Sequence, residues 1–270
     1  MGDRQDTMDE YTNLDVRHDD GIAWVAIESD SSMNSLNDTL VTELMHVATG
    51  CDEDDDVRCL VLQGSNGVFS AGGNITSFDE DQEVAAADIR RGASALHDVI
   101  TQLKRNETPL VTGINGPAVG AGFSLALLGD ISVMHEDAYL QYGYPGVGLT
   151  GDGSSTFYLP RIVGLQEAKR IALLNEQISP TEADELGLVT EVPDANAFDD
   201  RLAEIADRIA QGPTKALGRI ARLFDETYAR QLPDQLATET EQMAATVKTD
   251  DYLEGVSAFK DKREPEFTGQ

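Results

Sequence analysis

The chain has 270 residues, 40% of them hydrophobic, enough for one substantial core with or without a small appendage. Its 20 lysines and arginines stand against 49 aspartates and glutamates, and a net charge of −29 argues against a nucleic-acid partner, because phosphate backbones demand a basic footprint. No apolar run approaches the roughly 18–20 residues that cross a bilayer, and residues 1–6 lack the charged and apolar regions of a signal peptide, so residence in the cytoplasm and no membrane partner are expected.

In chain order, residues 1–14 are polar and acidic with little to pack, and are expected to form a disordered tail. Residues 21–27 alternate enough to predict a first strand, with Trp24 as packing. Asn37 or Asp38 can cap a helix running to about residue 50. Residues 57–62 are β-branched and apolar and predict a buried strand, followed by the small-residue turn Phe69-Ser70-Ala71-Gly72-Gly73-Asn74-Ile75. A helix is predicted over about 82–105, where Ile89, Ala93, Leu96, Ile100 and Leu103 hold one helical face. A strand at 110–115 leads to a second turn, Gly120-Ala121-Gly122-Phe123-Ser124, and to an apolar helix ending near residue 128.

Strands and helices alternate between residues 110 and 192, the pattern of an α/β core. Beyond about residue 195 the strand signals stop. Leu202, Ile205 and Ile209 form a helical stripe, Gly212-Pro213 breaks it, and Leu217, Ile220, Phe224 and Tyr228 begin another. The expected organisation is therefore a tail at 1–14, a core carrying the active site at 15–195 and a helical region at 196–270, with no linker dividing them.

Cys51 and Cys59 lack zinc spacing, and His18, His46, His97 and His135 are scattered without ligand spacing, so no metal is expected. Cys59 reads as buried apolar filler, the histidines as surface or helix-packing residues. Acidic runs such as Asp52-Glu53-Asp54-Asp55-Asp56 recur, and only six of the basic residues are lysine. Such a charge repels itself in dilute salt but is screened within about 3 Å at 1 M ionic strength, and it reads as adaptation to a high-salt cytoplasm.

The two turns carry the chemistry. Small residues leave main-chain N–H groups open to close approach, and the first turn of the apolar helix adds unpaired donors and a positive dipole end. Two such donors converging on one thioester or amide oxygen could stabilise an enolate or tetrahedral anion, each worth roughly 2.7–4 kcal/mol of barrier. A dinucleotide loop fits poorly, because Gly120-Ala121-Gly122 has no third glycine at the required spacing, and no Gly-Lys-Ser/Thr ending exists for a P-loop. Gly122-Phe123-Ser124-Leu125-Ala126 nearly spells a nucleophile elbow, but the one histidine after Ser124 is His135, with Asp130 too close in sequence for a hydrolase triad.

The ordered set of motifs resembles the crotonase (enoyl-CoA hydratase/isomerase) superfamily along almost the whole chain. It comprises Asn34-Ser35-Leu36, the first turn, Ile114-Asn115-Gly116-Pro117-Ala118-Val119-Gly120-Ala121-Gly122, Gly148-Leu149-Thr150-Gly151-Asp152-Gly153, Leu159-Pro160-Arg161-Ile162-Val163-Gly164 and the tail from Glu254 to Phe267. The resemblance implies a spiral of repeated ββα units with a C-terminal helical region that packs against neighbouring subunits in a homotrimer or dimer of trimers. It also implies an acyl-CoA thioester substrate, with coenzyme A part of the substrate and no permanently bound cofactor. Gly73 and Ala121 fall at the oxyanion donors. Ala71, Gly72 and Ile75 fall where the family lines the coenzyme A, and Phe259 and Lys262 where a C-terminal segment, often from another subunit, reaches it.

This sequence departs from the family where hydratases carry two glutamates, since Ser124 and Tyr144 occupy those positions as pocket residues. Asp152 matches the position of a catalytic aspartate in some family isomerases, and burial beside Tyr144 and Phe123 would raise its pKa toward neutrality. Asp152 could instead cap a helical run that begins with Gly153-Ser154-Ser155-Thr156. The expected activity is isomerisation of an acyl-CoA by double-bond migration, as in fatty-acid or aromatic-acid metabolism. The alternatives are an enoyl-CoA hydratase (a lyase) using Asp152 alone and a non-catalytic acyl-CoA-binding protein.

Overall fold

The computed structural model of the protein describes residues 11–29 and 33–270. Most of the expected tail, residues 1–10, lies outside the described residues. Residues 11–14 are not a tail. The amides of Thr12 and Asn13 donate to the two carboxylate oxygens of Glu43 at 2.7 and 2.9 Å, and Asn13, Leu14 and Glu43 are all buried. One carboxylate satisfying two main-chain donors gives a polar stretch a reason to be ordered.

The strand expected at 21–27 is present, and a further strand that the sequence reading did not include precedes it. β1 (Leu14–Asp19) pairs antiparallel with β2 (Ile22–Ile27), Asp19 facing Ile22. The two-residue turn Asp20-Gly21 has φ of +46° and +80°, the left-handed geometry of a tight hairpin that Asp-Gly adopts readily.

From β2 the chain enters α1 (Asp38–Glu53), capped by Asn37, whose side chain accepts from the Leu40 amide at 2.8 Å. β3 (Cys59–Gly64) and α2 (Gln82–Arg105) follow, Asp81 capping α2 through the amides of Glu83 and Val84. Then come β4 (Leu110–Ile114), β5 (Ala118–Val119), α3 (Ala121–Ala126), β6 (Ile131–Met134), β7 (Leu140–Gln141), α4 (Ser155–Val163), α5 (Leu165–Leu174), β8 (Gln177–Ile178) and α6 (Pro180–Glu185). One sheet runs β1-β2-β3-β4-β6, parallel from β2 onward; the smaller one runs β5-β7-β8. The units β4-β5-α3 and β6-β7-α4 each place one strand in each sheet before a helix returns the chain. Past β8 the elements are helical: α7 (Phe198–Ala210), α8 (Thr214–Asp225), α9 (Leu232–Thr246) and α10 (Asp250–Asp261).

Strand alternation divides the core in two. Ala23, Val25, Ile27, Leu60, Leu62, Leu110 and Ile114 face the main cluster, which includes Leu40, Leu44 and Val47 of α1 and Leu96, Val99 and Leu103 of α2. Ile22, Trp24, Cys59, Val61, Val111 and Val133 face the other way and pack on Phe198, Leu202 and Ala206 of α7. Trp24 and Cys59 are thus packing residues, Arg17 lying over the indole at 4.9 Å. At the end of α2, Lys104 reaches Asp130 at 2.9 Å and Asp225 at 2.7 Å, tying α8 to the core. Of the second C-terminal stripe, Leu217 is half-buried, whereas Ile220, Phe224 and Tyr228 are exposed, Arg161 lying 5.1 Å over the Tyr228 ring.

Candidate active site

The two small-residue turns meet. The first is held along residues 33–36: the Ala71 amide donates to the Met33 carbonyl, Leu36 to Gly72, and Asn74 to Leu36. Ser70 Oγ donates to the Asn34 carbonyl at 2.7 Å and accepts from the Gly72 amide at 3.1 Å. The amides of residues 71, 72 and 74 are therefore engaged, while that of Gly73 has no hydrogen-bond partner among the described residues. On the second turn, Val119 donates to Ser70 and Gly120 to Gln141, leaving the Ala121 amide unengaged among the described residues at the start of α3. α3 is under two turns long, so it offers this local N–H more than the summed dipole expected from the sequence.

Gly72 marks where the turns touch. Its φ is +82°, and a Cβ built on it would stand 2.7 Å from the Val119 carbonyl oxygen and 2.8 Å from the Ala121 nitrogen. Gly73, by contrast, has no atom within 4 Å of such a Cβ and faces open space. Of the other residues assigned to coenzyme A, Ala71 is partly buried beside this turn, and Ile75 is half exposed in the short 3-10 turn Ile75–Ser77.

Asp152 lies between a 3-10 turn at Tyr144–Val147 and α4. Three hydroxyls converge on its main-chain carbonyl: Ser124 Oγ at 2.8 Å, Ser155 Oγ at 2.9 Å and Tyr144 OH at 3.1 Å. Ser124 is fully buried on α3, one turn beyond Ala121, so these bonds fix the Asp152 loop to the helix that begins with the free amide. Ser124 Oγ and Tyr144 OH also lie 3.2 Å apart. Burial pushes the Tyr144 phenol up to about 12, which keeps it a protonated donor at neutral pH. Phe123, Tyr142 and Tyr144 form an edge-to-face series with ring centroids 6.1 and 5.2 Å apart.

Two expectations about Asp152 are corrected. Its carboxylate is not buried beside Tyr144 and Phe123: the contact with Tyr144 is made by the carbonyl, and the side chain is 38% exposed. Nor does it cap the following helix, because Ser154 holds the N-cap position with φ +71° and no side-chain cap bond forms. The carboxylate instead meets His97 of α2, Oδ1 lying 2.7 Å from Nε2.

His97 is the site residue that sequence reasoning missed. It stands 55 positions from Asp152 and beside a buried helical stripe, where it reads as an ordinary boundary residue. Its adjacency to Leu96, whose Cδ2 lies 3.6 Å from a Cβ built on Gly153, was the one local signal available once α2 was known to pack here.

Within this chain Phe259 and Lys262 are not brought to these residues. Phe259 is 85% exposed on α10 and lines a separate apolar groove of about 330 Å³ with Pro213, Tyr252 and Phe267; Lys262 ends the helix at φ +58°. Among the described residues no group of three or more His, Cys, Asp or Glu side chains could hold a metal ion.

Two unengaged amides, a carboxylate on an anchored loop and an imidazole beside it can polarise a carbonyl and move a proton next to it. Comparison with known proteins identifies the family. The chain is 32% identical over 251 residues to the 1,2-epoxyphenylacetyl-CoA isomerase of Escherichia coli (strain K12), covering 93% of this chain and 96% of that protein. It is 32% identical over 254 residues to 4-chlorobenzoyl coenzyme A dehalogenase-1 of an Arthrobacter species, covering 93% and 91%. The solved enoyl-CoA hydratase of Bacillus anthracis superposes with a TM-score of 0.88 at 26% identity, over 96% of this chain and all of that one. With the enoyl-CoA hydratase/isomerase family model matching residues 17–270, the crotonase-like α/β fold is established and the chain belongs to the enoyl-CoA hydratase/isomerase family.

Proposed function

We propose that the protein is an acyl-CoA thioester isomerase that moves a double bond, with Asp152 as both base and acid. The observation that carries this reading is that the two side chains bonded to the Asp152 carbonyl from outside its own helix start are hydroxyls, Ser124 and Tyr144, so that Asp152 is the carboxylate this constellation offers among the described residues. In the reaction a C–H bond of the acyl chain breaks and its proton passes to Asp152, while the electron pair runs into the thioester oxygen. The resulting (di)enolate is held by the amides of Gly73 and Ala121. The proton then leaves Asp152 for a different carbon of the same chain, and the amides release the re-formed thioester. One carboxylate suffices for this sequence, whereas hydration needs water activation as well as protonation.

Ala71, Gly72 and Ile75 would line the coenzyme A on the same side as Gly73. Phe259 and Lys262 would reach a neighbouring subunit's substrate in a homotrimer or dimer of trimers, a reading supported by the exposed apolar residues Phe224, Tyr228 and Leu232. The net charge of −29 supports residence in a high-salt cytoplasm.

The test is incubation in high-salt D₂O with a 3-enoyl-CoA and, separately, a 2-enoyl-CoA, followed by mass spectrometry. Double-bond migration without the mass gain of an added D₂O is expected, and Asp152→Asn should abolish it while acyl-CoA binding persists. Water addition to the 2-enoyl-CoA would instead favour the hydratase, and tight binding without proton exchange the non-catalytic protein. Unaltered turnover by Asp152→Asn would overturn the assignment of the base.

A further inference from the structure

We propose that His97 is a positioning residue for the proton-transferring carboxylate: it fixes the orientation of Asp152 and leaves one carboxylate oxygen directed to the substrate. This inference rests on the isomerase reading above.

The bonding around Asp152 separates main chain from side chain. Its carbonyl is fixed by Ser124 Oγ, Tyr144 OH and Ser155 Oγ, and by the Ser155 amide at 3.2 Å. These bonds set where the residue is but leave the side-chain torsions free to turn. Among the described residues the carboxylate itself has one hydrogen-bond partner, His97 Nε2, at 2.7 Å from Oδ1. That is the short range of a charge-assisted bond. With the carboxylate ionised, Nε2 carries the hydrogen and donates. Oδ1 is then engaged and Oδ2 is the oxygen left to take a proton.

His97 can do this because α2 is a firm support. Leu96, Val99, Ile100 and Leu103 bury one face of α2 in the core, and Leu96 also packs at Gly153, the residue after Asp152. The imidazole therefore approaches the carboxylate from a different element than the loop that carries it. Both side chains are partly exposed, His97 at 52% and Asp152 at 38%, so burial does not hold the carboxylate in one rotamer. A solvated carboxylate without such a partner samples several rotamers, and those directing its oxygens away from the acyl chain are unproductive.

In proton balance, Asp152 Oδ2 gains the proton released by the substrate carbon and later gives it to another carbon. His97 keeps its Nε2 hydrogen throughout and ends the cycle unchanged. The imidazole thus acts through the carboxylate and touches no reacting atom.

The experiment compares His97→Leu, His97→Gln and Asp152→Asn, singly and with His97→Leu combined with Asp152→Asn, in kcat and KM for a 3-enoyl-CoA and in direct acyl-CoA binding. His97→Leu should lower kcat about 10- to 100-fold, the scale of one hydrogen bond to a charged group, with KM and binding nearly unchanged. His97→Gln, whose amide can still donate, should recover much of the loss. In the Asp152→Asn background, where turnover is already abolished, adding His97→Leu should leave acyl-CoA binding at the Asp152→Asn level, because the imidazole serves the carboxylate and not the substrate. Equal kcat in wild type and His97→Leu, equal loss in the Leu and Gln variants, or weaker acyl-CoA binding in the double variant than in Asp152→Asn would overturn the proposal. Wild-type protein that binds acyl-CoA but moves no double bond would instead overturn the isomerase reading, and the two failures are distinguished by the wild-type control.

Discussion

Gly72→Ala probes the contact on which the paired amides depend. The residue sits at φ +82°, where an L side chain costs about 1–2 kcal/mol. Its new Cβ would lie 2.7 Å from the Val119 oxygen and 2.8 Å from the Ala121 nitrogen, both backbone atoms that no rotamer change can remove. One turn must retreat by about 0.7 Å to reach ordinary contact, and overpacking of this kind typically costs about 1–3 kcal/mol. The sum, about 2–5 kcal/mol, predicts a fall of roughly 5–15 °C in Tm for a chain of this size. The same retreat carries the Ala121 amide out of hydrogen-bonding range of the developing oxyanion, and loss of one such donor lowers kcat about 10²- to 10³-fold. Thermal unfolding followed by circular dichroism and turnover of a 3-enoyl-CoA, both in high salt, read the two effects. Gly73→Ala is the control for stability: its Cβ enters open space and its φ is not left-handed, so Tm should hold or rise slightly. A Gly72→Ala protein with wild-type Tm and wild-type kcat would refute the reasoning.

Glu43→Gln removes one of the two bonds to the amides of Thr12 and Asn13, because an amide nitrogen cannot accept, and strips the other of its charge assistance; it should lower unfolding free energy by about 1–3 kcal/mol in denaturant titration. An unchanged midpoint would mean that the start of β1 is held by other contacts. Burial, with Asp54 and Asp52 nearby, pushes the Cys51 thiol up to about 12 from 9.0; the folded value lies above the unfolded one, so its stabilisation is complete below about pH 9 and is lost as pH rises toward 12. Cys51→Ala should therefore lose stability less steeply than wild type across that alkaline window, and equal slopes would contradict the assignment. Raising KCl from about 0.1 to 2 M should raise Tm as self-repulsion among the excess acids is screened, and a flat response would remove the high-salt reading.

Much of this architecture is legible where a local rule is strong. The stripe from Ile89 to Leu103 gave α2 its span of Gln82–Arg105, and Asn37 does cap α1. The small-residue turns are visible from their composition, but their contact is not, because it arises only when the Ser70 main chain bridges to Ala118 and Gly72 is brought to Ala121. β1 escaped notice because its exposed charges, Asp15, Arg17 and Asp19, resemble tail composition, although Asp20-Gly21 is a strong hairpin signal. Asp152 was recognisable by motif, yet the environment of its carboxylate was misjudged, since a sequence does not tell whether a side chain or a carbonyl makes the contact with Tyr144. The stripe of Leu217, Ile220, Phe224 and Tyr228 runs along α8 and into the 3-10 turn Thr227–Ala229, and periodicity does not say what covers its exposed members.

The division of labour in the site has a consequence for how it responds to genetic change. Its two unengaged donors are main-chain amides at Gly73 and Ala121, which an ordinary codon change does not delete and only proline removes. Its carboxylate and imidazole, by contrast, each disappear with a single substitution. A saturation scan should accordingly be lopsided: abrupt losses at Asp152, graded ones at His97, and at the donor positions sensitivity to bulk rather than to polarity. On the proposed mechanism the anion-holding half of the site is thus robust hardware, while the proton-moving half can be rewritten one residue at a time without rebuilding the scaffold.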